Sequence, residues 1–230
     1  GTWDGVTNQS VAQVWRSADG QDWRRLDGVA SLTSTSEEIL RGNAAAVGSR
    51  RAVLVGTAFN LIHLRDGDDG AIWWSDDAAS WVRADVAGAA MAGPGDQELR
   101  VAAATDNSGD SGDAGGFLVG GSSGGSATIW TSDDGRQWRR ADPLPGGTGP
   151  GATVTAVAGA PAHRTWAAGV VGGQPKLWRS LDGRHWDAVT LPGAALSSVG
   201  PAQLALVAAP GPVLVVVQGA RGSVAVVAPG

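Results

Sequence analysis

Carboxylates alternate with glycines at two places where side chains could do chemistry. The runs Arg65-Asp66-Gly67-Asp68-Asp69-Gly70 and Asp106-Asn107-Ser108-Gly109-Asp110-Ser111-Gly112-Asp113 resemble the oxygen-rich opening of a calcium loop. Both lack the glycine at the sixth position in register and the closing bidentate Glu, so calcium is the one cofactor they suggest and no metal ligand is assigned. Asp66, Asp68, Asp69, Asp96 and Glu98 could instead supply the acid and base of glycoside hydrolysis, whose carboxyl groups stand about 5–5.5 Å or about 6.5–9.5 Å apart according to mechanism. Gly120-Gly121-Ser122-Ser123-Gly124 matches a nucleophile elbow, but that motif needs a helix directly after the Ser, and here the strand-like Ala127 to Trp130 follows. His63, His163 and His185 have no partner at helical spacing, which argues against a His-based metal site or relay. No residue is assigned a catalytic role.

Composition narrows the classes further. The 230 residues include 36 Gly, 11 Pro, 11 Trp, 2 Phe and neither Tyr nor Cys, with a formal charge of -5. Such a chain folds: its Gly plus Pro content lies below the roughly 25–30% of low-complexity sequence, and its charge is too small for self-repulsion to dominate. Zero Cys excludes disulfides and thiolate chemistry. Basic residues are scattered and not gathered into a stripe, so nucleic acid is not an expected partner. No apolar run approaches the roughly 18 residues of a membrane span. An Ala/Gly/Arg-rich, Lys-poor usage fits a GC-rich bacterial genome, and Asn8-Gln9-Ser10 is a glycosylation sequon by pattern only.

The elements that must position these residues come from a repeat. Four segments read apolar-Trp-x-Ser-x-Asp-(Gly)-x-x-Trp, and the two Trp positions of the pattern account for eight of the eleven Trp. Their members are Trp15, Ser17, Asp19 and Trp23; Trp73, Ser75, Asp77 and Trp81; Trp130, Ser132, Asp134 and Trp138; and Trp178, Ser180, Asp182 and Trp186. Each reads as a hairpin, spanning 14–26, 72–84, 129–141 and 177–189, with an Asp-Gly pair at the turn. A two-residue turn at Asp19 and Gly20 would set Trp15 opposite Arg24, Trp23 opposite Arg16 and, in the third copy, Trp130 opposite Arg139. Ala78 stands where the other copies have Gly, so that turn must be strained or of another type. The four Asp cap separate turns and cannot converge on one ligand.

Two strand-like runs precede each later hairpin, the second closed by Gly56, Gly120 or Gly169. The unit is thus a four-stranded antiparallel meander, while Ser36 to Leu40 allows at most one helical turn. Residues 1–230 are therefore expected to form a single all-β domain, a β-propeller of four blades. In that arrangement the first unit has only its last two strands, and the tail strands Gln203 to Ala208 and Val213 to Val217 join them to close the ring. The alternative is an arc of a larger propeller, completed by a second chain or a missing segment.

The Ser-x-Asp-Gly-x-x-Trp units resemble the Asp-box, or BNR, repeats of sialidases, sortilin-type receptors, xyloglucan-degrading glycosidases and photosystem assembly factors. They are one residue shorter than the usual Ser-x-Asp-x-Gly-x-x-Trp. The resemblance implies a propeller and says little of activity, because the box is a folding element shared by unrelated functions. The sialidase activity is not implied, since that family's Tyr nucleophile has no counterpart in a chain without Tyr. The expectation is a non-enzymatic, extracytoplasmic bacterial propeller, secreted or at the cell surface, that binds a protein or a glycan or takes part in assembly. Its binding residues would be Asn60, His63, Arg65, Asp66, Asp68, Asp69, Asp96 and Glu98, on the face with the longer loops. An Asp-box glycoside hydrolase using the same loop carboxylates is the alternative.

Overall fold

A computed structural model describes residues 2–4, 9–11, 13–62, 67–105, 116–159, 164–191, 202–208, 213–219 and 222–228. Aliphatic and β-branched runs such as Ala52-Val53-Leu54-Val55 favour strands, and the strands fold into successive antiparallel meanders. Three are complete: β5 (Glu38–Val47), β6 (Ala52–Asn60), β7 (Asp68–Ser75) and β8 (Val82–Arg83); β9 (Gln97–Ala104), β10 (Phe117–Ser123), β11 (Ser126–Ser132) and β12 (Arg139–Arg140); and β13 (Thr153–Gly159), β14 (Thr165–Val171), β15 (Gln174–Ser180) and β16 (Asp187–Val189). Before them stand β1 (Thr2–Asp4) paired with β2 (Gln9–Val11), and β3 (Val14–Arg16) paired with β4 (Arg24–Leu26). After them come β17 (Ala202–Ala208), β18 (Val213–Gly219) and β19 (Gly222–Ala228), a three-stranded sheet. The first strands β5, β9, β13 and β17 lie side by side, so consecutive sheets pack face to face as the blades of a β-propeller. The described helical pieces are two 3-10 turns, Ala30–Leu32 and Ala87–Ala89, and Glu38 to Leu40 opens β5 where one helical turn was allowed.

Tryptophan seals each seam between blades. Trp73, Trp130 and Trp178 are fully buried, and each donates its indole N–H to a carbonyl of the segment entering its own blade: Ser31, Ala89 and Pro145, at 2.6, 3.0 and 2.9 Å. These rings face the preceding blade, where Trp130 meets Val53, Val55 and Ile72 in one apolar cluster.

Three sequence expectations are corrected. The ring does not close through the tail: β18 pairs on one edge with β17 and on the other with β19, from Val213 opposite Ala228 to Gly219 opposite Gly222, so it has no edge left for β3. The described sheets form an open arc, and Trp15 and Trp23 on its first hairpin are 53% and 57% exposed. Nor do glycines end the second strands. Gly56, Gly120 and Gly169 lie inside β6, β10 and β14, at register shifts that leave Asn43, Arg100 and Thr155 unpaired in the adjoining first strands. At Gly56 and Gly121 a side chain would meet the carbonyl of Arg41 or Glu98, because the bulge pushes that carbonyl into the space. Finally, the turns are longer than two residues. Trp15 pairs with Arg25, Arg16 with Arg24, and Trp130 with Arg140, so each predicted partner is displaced by one position.

The longer turn has a defined chemistry. In every copy the Ser hydroxyl donates to the Asp carboxylate at 2.9–3.2 Å, and one carboxylate oxygen accepts the next two free backbone N–H groups, as Asp134 does from Arg136 and Gln137. In the first, third and fourth copies the closing Trp donates its N–H to the Gly carbonyl. Ala78 adopts φ 55, the left-handed strain its side chain predicts, and the buried Trp81 N–H has no partner.

Candidate functional site on the long-connection face

Antiparallel strands send the connections from fourth to first strands and from second to third strands out at one end of the blades. Between the blades of β5–β8 and β9–β12 these connections are tied together. Strand β7 begins at Asp68, earlier than the apolar run suggests, with Asp68 opposite Phe59 and Asp69 opposite Ala58. Its opening then docks along residues 91–96: the Asp68 N–H donates to the Asp96 carboxylate at 3.1 Å, the Gly70 N–H to the Met91 carbonyl at 2.6 Å, and the Asp69 carboxylate accepts the Gly93 N–H at 2.9 Å. Gly67 permits this approach, since φ is 91 and a side chain there would lie 2.6 Å from Gly95 and 2.7 Å from Asp96. The Gly124 N–H reaches the Asp96 carbonyl at 3.1 Å, so Asp96 joins three connections.

The result gathers four of the eight sequence candidates: Asp68, Asp69, Asp96 and Glu98. Burial raises the Asp68 pKa above the ordinary carboxylate value, and the charges of Asp96, Glu98 and Asp69 add to the rise while Arg41 opposes it. Glu98 is held by Arg100 at 2.6 Å. Asn60 ends β6, where its side chain accepts the Ile62 N–H at 2.9 Å, beside Leu61 and Ile62, which are exposed. His63, Arg65 and Asp66 lie outside the described residues, as does the acidic run 106–113. Arg41 was not singled out by sequence: it sits inside a strand, and only the pairing of β5 places it near Asp68. Among the described residues no group of three or more His, Cys, Asp or Glu is disposed to hold a metal ion, and no helix is long and apolar enough to cross a membrane.

The remaining candidates are set apart. Ser122 lies within β10, and a Gly124–Gly125 turn leads to β11 where an elbow would need a helix. His185 bonds Asp182 at 2.6 Å and lies 3.2 Å from Asp142, on the opposite face.

No family model matches the sequence, and no curated protein matches it. Solved structures do. Trypanosoma rangeli sialidase bound to 2,3-difluorosialic acid aligns at a TM-score of 0.52 and 15% identity, over 88% of this chain and 39% of the sialidase. The same enzyme with the inhibitor DANA gives 0.51 and 15%, over 89% and 39%. A Bombyx mori GH32 beta-fructofuranosidase mutant in complex with sucrose gives 0.46 and 10%, over 94% and 53%. At such identity the likeness is of fold: a sialidase-like β-propeller, of which this chain spans about two-fifths of the sialidase length.

Proposed function

We propose that this propeller binds a glycan at the long-connection face, around Asp68, Asp69, Asp96 and Glu98, and that it acts as a binding module. The observation that carries the proposal is the convergence of carboxylates from two blades, fixed by the Gly67–Asp96 contact and bordered by exposed Leu61 and Ile62. Carboxylates accept paired hydrogen bonds from neighbouring sugar hydroxyls, and an apolar border suits the C–H face of a pyranose. The sialidase structure that shares the fold holds 2,3-difluorosialic acid, which supports a sugar-like ligand class here. Under this proposal the Ser-Asp turns are Asp-box elements with one residue fewer, and the protein works outside the cytoplasm of a bacterium. Calorimetry against a panel of oligosaccharides tests it: a ligand should bind, and replacing Asp68 and Asp96 together by Asn should weaken it at least about ten-fold. Binding that is indifferent to both substitutions would place the site elsewhere.

Hydrolysis is a second possibility, favoured by one observation. A carboxyl whose pKa is raised beside a second carboxylate is the arrangement of a general acid and its partner. Release of aryl leaving groups, abolished by Asp68→Asn with sugar binding retained, would decide for an enzyme.

A further inference from the structure

The first hairpin carries the residues of a blade seam without a seam to make. Trp15 stands opposite Arg25 in register, as Trp73 stands opposite Arg83 and Trp130 opposite Arg140. In the later hairpins both tryptophans of the repeat are buried, whereas Trp15 and Trp23 are exposed. The other side of the first hairpin is already used, because Val14 and Leu26 pack on the cluster around Trp73 in the following blade. Trp15 alternates with Val14 and so lies on the side where a preceding blade would stand. A covered Trp buries about 150–250 Å², so two of them half in water mark this face as a contact surface.

The other end of the arc presents what that face lacks. At the second seam Trp130 seats on Val53, Val55 and Ile72. Val53 and Val55 are the second and fourth residues of β6, and Ile72 lies opposite Val55. In the last sheet the second and fourth residues of β18 are Leu214 and Val216, with Ala225 opposite Val216. Alternation supports the equivalence: Val215, between them, is buried with Leu177 and Trp166 of the preceding blade, as Leu54 packs on the cluster around Trp73. Leu214 is exposed, and so is Ala205, which lies opposite Val216 on the same side of the sheet. The three strands of this sheet contain no charged residue, whereas each earlier blade ends in a charged outer strand, with Arg24 and Arg25, Arg83, Arg139 and Arg140, or Asp187. An uncharged sheet without such a guard is disposed to associate with another chain.

We propose that the first hairpin of one copy docks on the last sheet of a second copy of this chain, Trp15 seating against Leu214 and Val216 as Trp130 seats against Val53 and Val55. The two surfaces do not meet within one chain, where Trp15 and Leu214 are both exposed. The contact continues the pattern of the internal seams, an aromatic hairpin laid on an aliphatic sheet. It is heterologous, joining different surfaces of the two copies, so each pair keeps one free surface of each kind and further copies can add. Its size sets its strength. Three strands about 4.8 Å apart and seven residues long, at about 3.3 Å per residue, present about 330 Å², well below the roughly 800 Å² per partner of a stable complex. Association is therefore weak, and a dilute solution holds single chains with Trp15 in water. The contact uses none of Asp68, Asp69, Asp96 or Glu98 and is independent of the glycan proposal.

Sedimentation velocity of the intact chain from about 1 µM to about 500 µM tests the contact, a range that brackets the weak affinity of so small a surface. The average mass should rise above that of one chain toward the upper end, and quenching of Trp15 emission should fall over the same range. Trp15→Arg and Leu214→Arg should each weaken association at least about ten-fold, since either places a charge in the contact. Both residues are exposed, so both variants should fold, as circular dichroism checks; Trp23→Arg and Ala205→Arg take the place of either that does not. Mixing the two variants decides the geometry. Each keeps the surface that the other has lost, so an equimolar mixture should form dimers and grow no further, a result that two like surfaces cannot give. A single-chain mass at every concentration, association that survives either substitution, or a mixture that stays monomeric would each overturn the proposal.

Discussion

Asp and Ser in the repeated turns work by satisfying backbone donors, and one copy shows what happens when a neighbour does not match. Ala78 is held at φ 55, and the buried Trp81 indole lacks the carbonyl that Trp23, Trp138 and Trp186 find. Ala78→Gly should stabilise the protein by about 1 kcal/mol, raising the melting temperature by roughly 2–4 °C. An unchanged or lower value would show that the turn is not strained. His185 gives a pH signature. Its hydrogen bond to Asp182 raises its pKa above 6.5, with the charges of Asp182 and Asp142 acting the same way. A raised folded pKa contributes stability fully present below the unfolded value and lost as pH rises through the folded one. The melting temperature should therefore decline as pH rises above about 6.5, and His185→Gln should remove that slope. The turn carboxylates act in the opposite direction. The Ser80 and Ala79 amides and the Ser75 hydroxyl hold Asp77 below its ordinary value, and Asp182 is lowered first by His185, so their stabilisation is present above about pH 4 and fades as acid protonates them.

Strand pairing rather than strand propensity determines where the second strands may carry a side chain. A Cβ on Gly121 would sit 1.8 Å from the Glu98 carbonyl, whereas around Gly88 nothing lies within 4 Å. Gly121→Ala should cost about 3 kcal/mol or prevent folding, while Gly88→Ala should change stability by less than about 1 kcal/mol, as read from urea midpoints. Similar midpoints for the two variants would mean that the bulge beside Gly121 is absent in solution. This is also where sequence was least informative. The Trp, Ser and Asp of each hairpin are local in the chain and announce it, whereas the bulges at Asn43, Arg100 and Thr155 exist only once two strands align. Their glycines therefore look like strand ends when read singly. The candidate site was legible to the same degree. Strand direction alone places Asp68, Asp69, Asp96 and Glu98 at one end of the blades, but the Gly67–Asp96 contact and the proximity of Arg41 depend on how two connections dock.

Across the whole molecule, stability resides in seams, and a tryptophan is worth what its seam covers. Trp130 is wholly buried against Val53, Val55 and Ile72 and bonded to Ala89, while the equivalent Trp15 is 53% exposed at the first face of the arc. Truncating a fully buried Trp removes its contacts and leaves a cavity, at about 3–5 kcal/mol, whereas an indole half in water loses only the covered part of its apolar surface. Trp130→Ala should thus lower stability by about 3–5 kcal/mol and Trp15→Ala by less than about 2 kcal/mol in denaturant titration. Emission of the native protein should also lose a red-shifted, readily quenched component in Trp15→Phe and none in Trp130→Phe. An equal penalty at the two positions, with no quenchable component at Trp15, would mean that the first face is covered in solution. The open arc would then be closed by contacts that the described strands do not make.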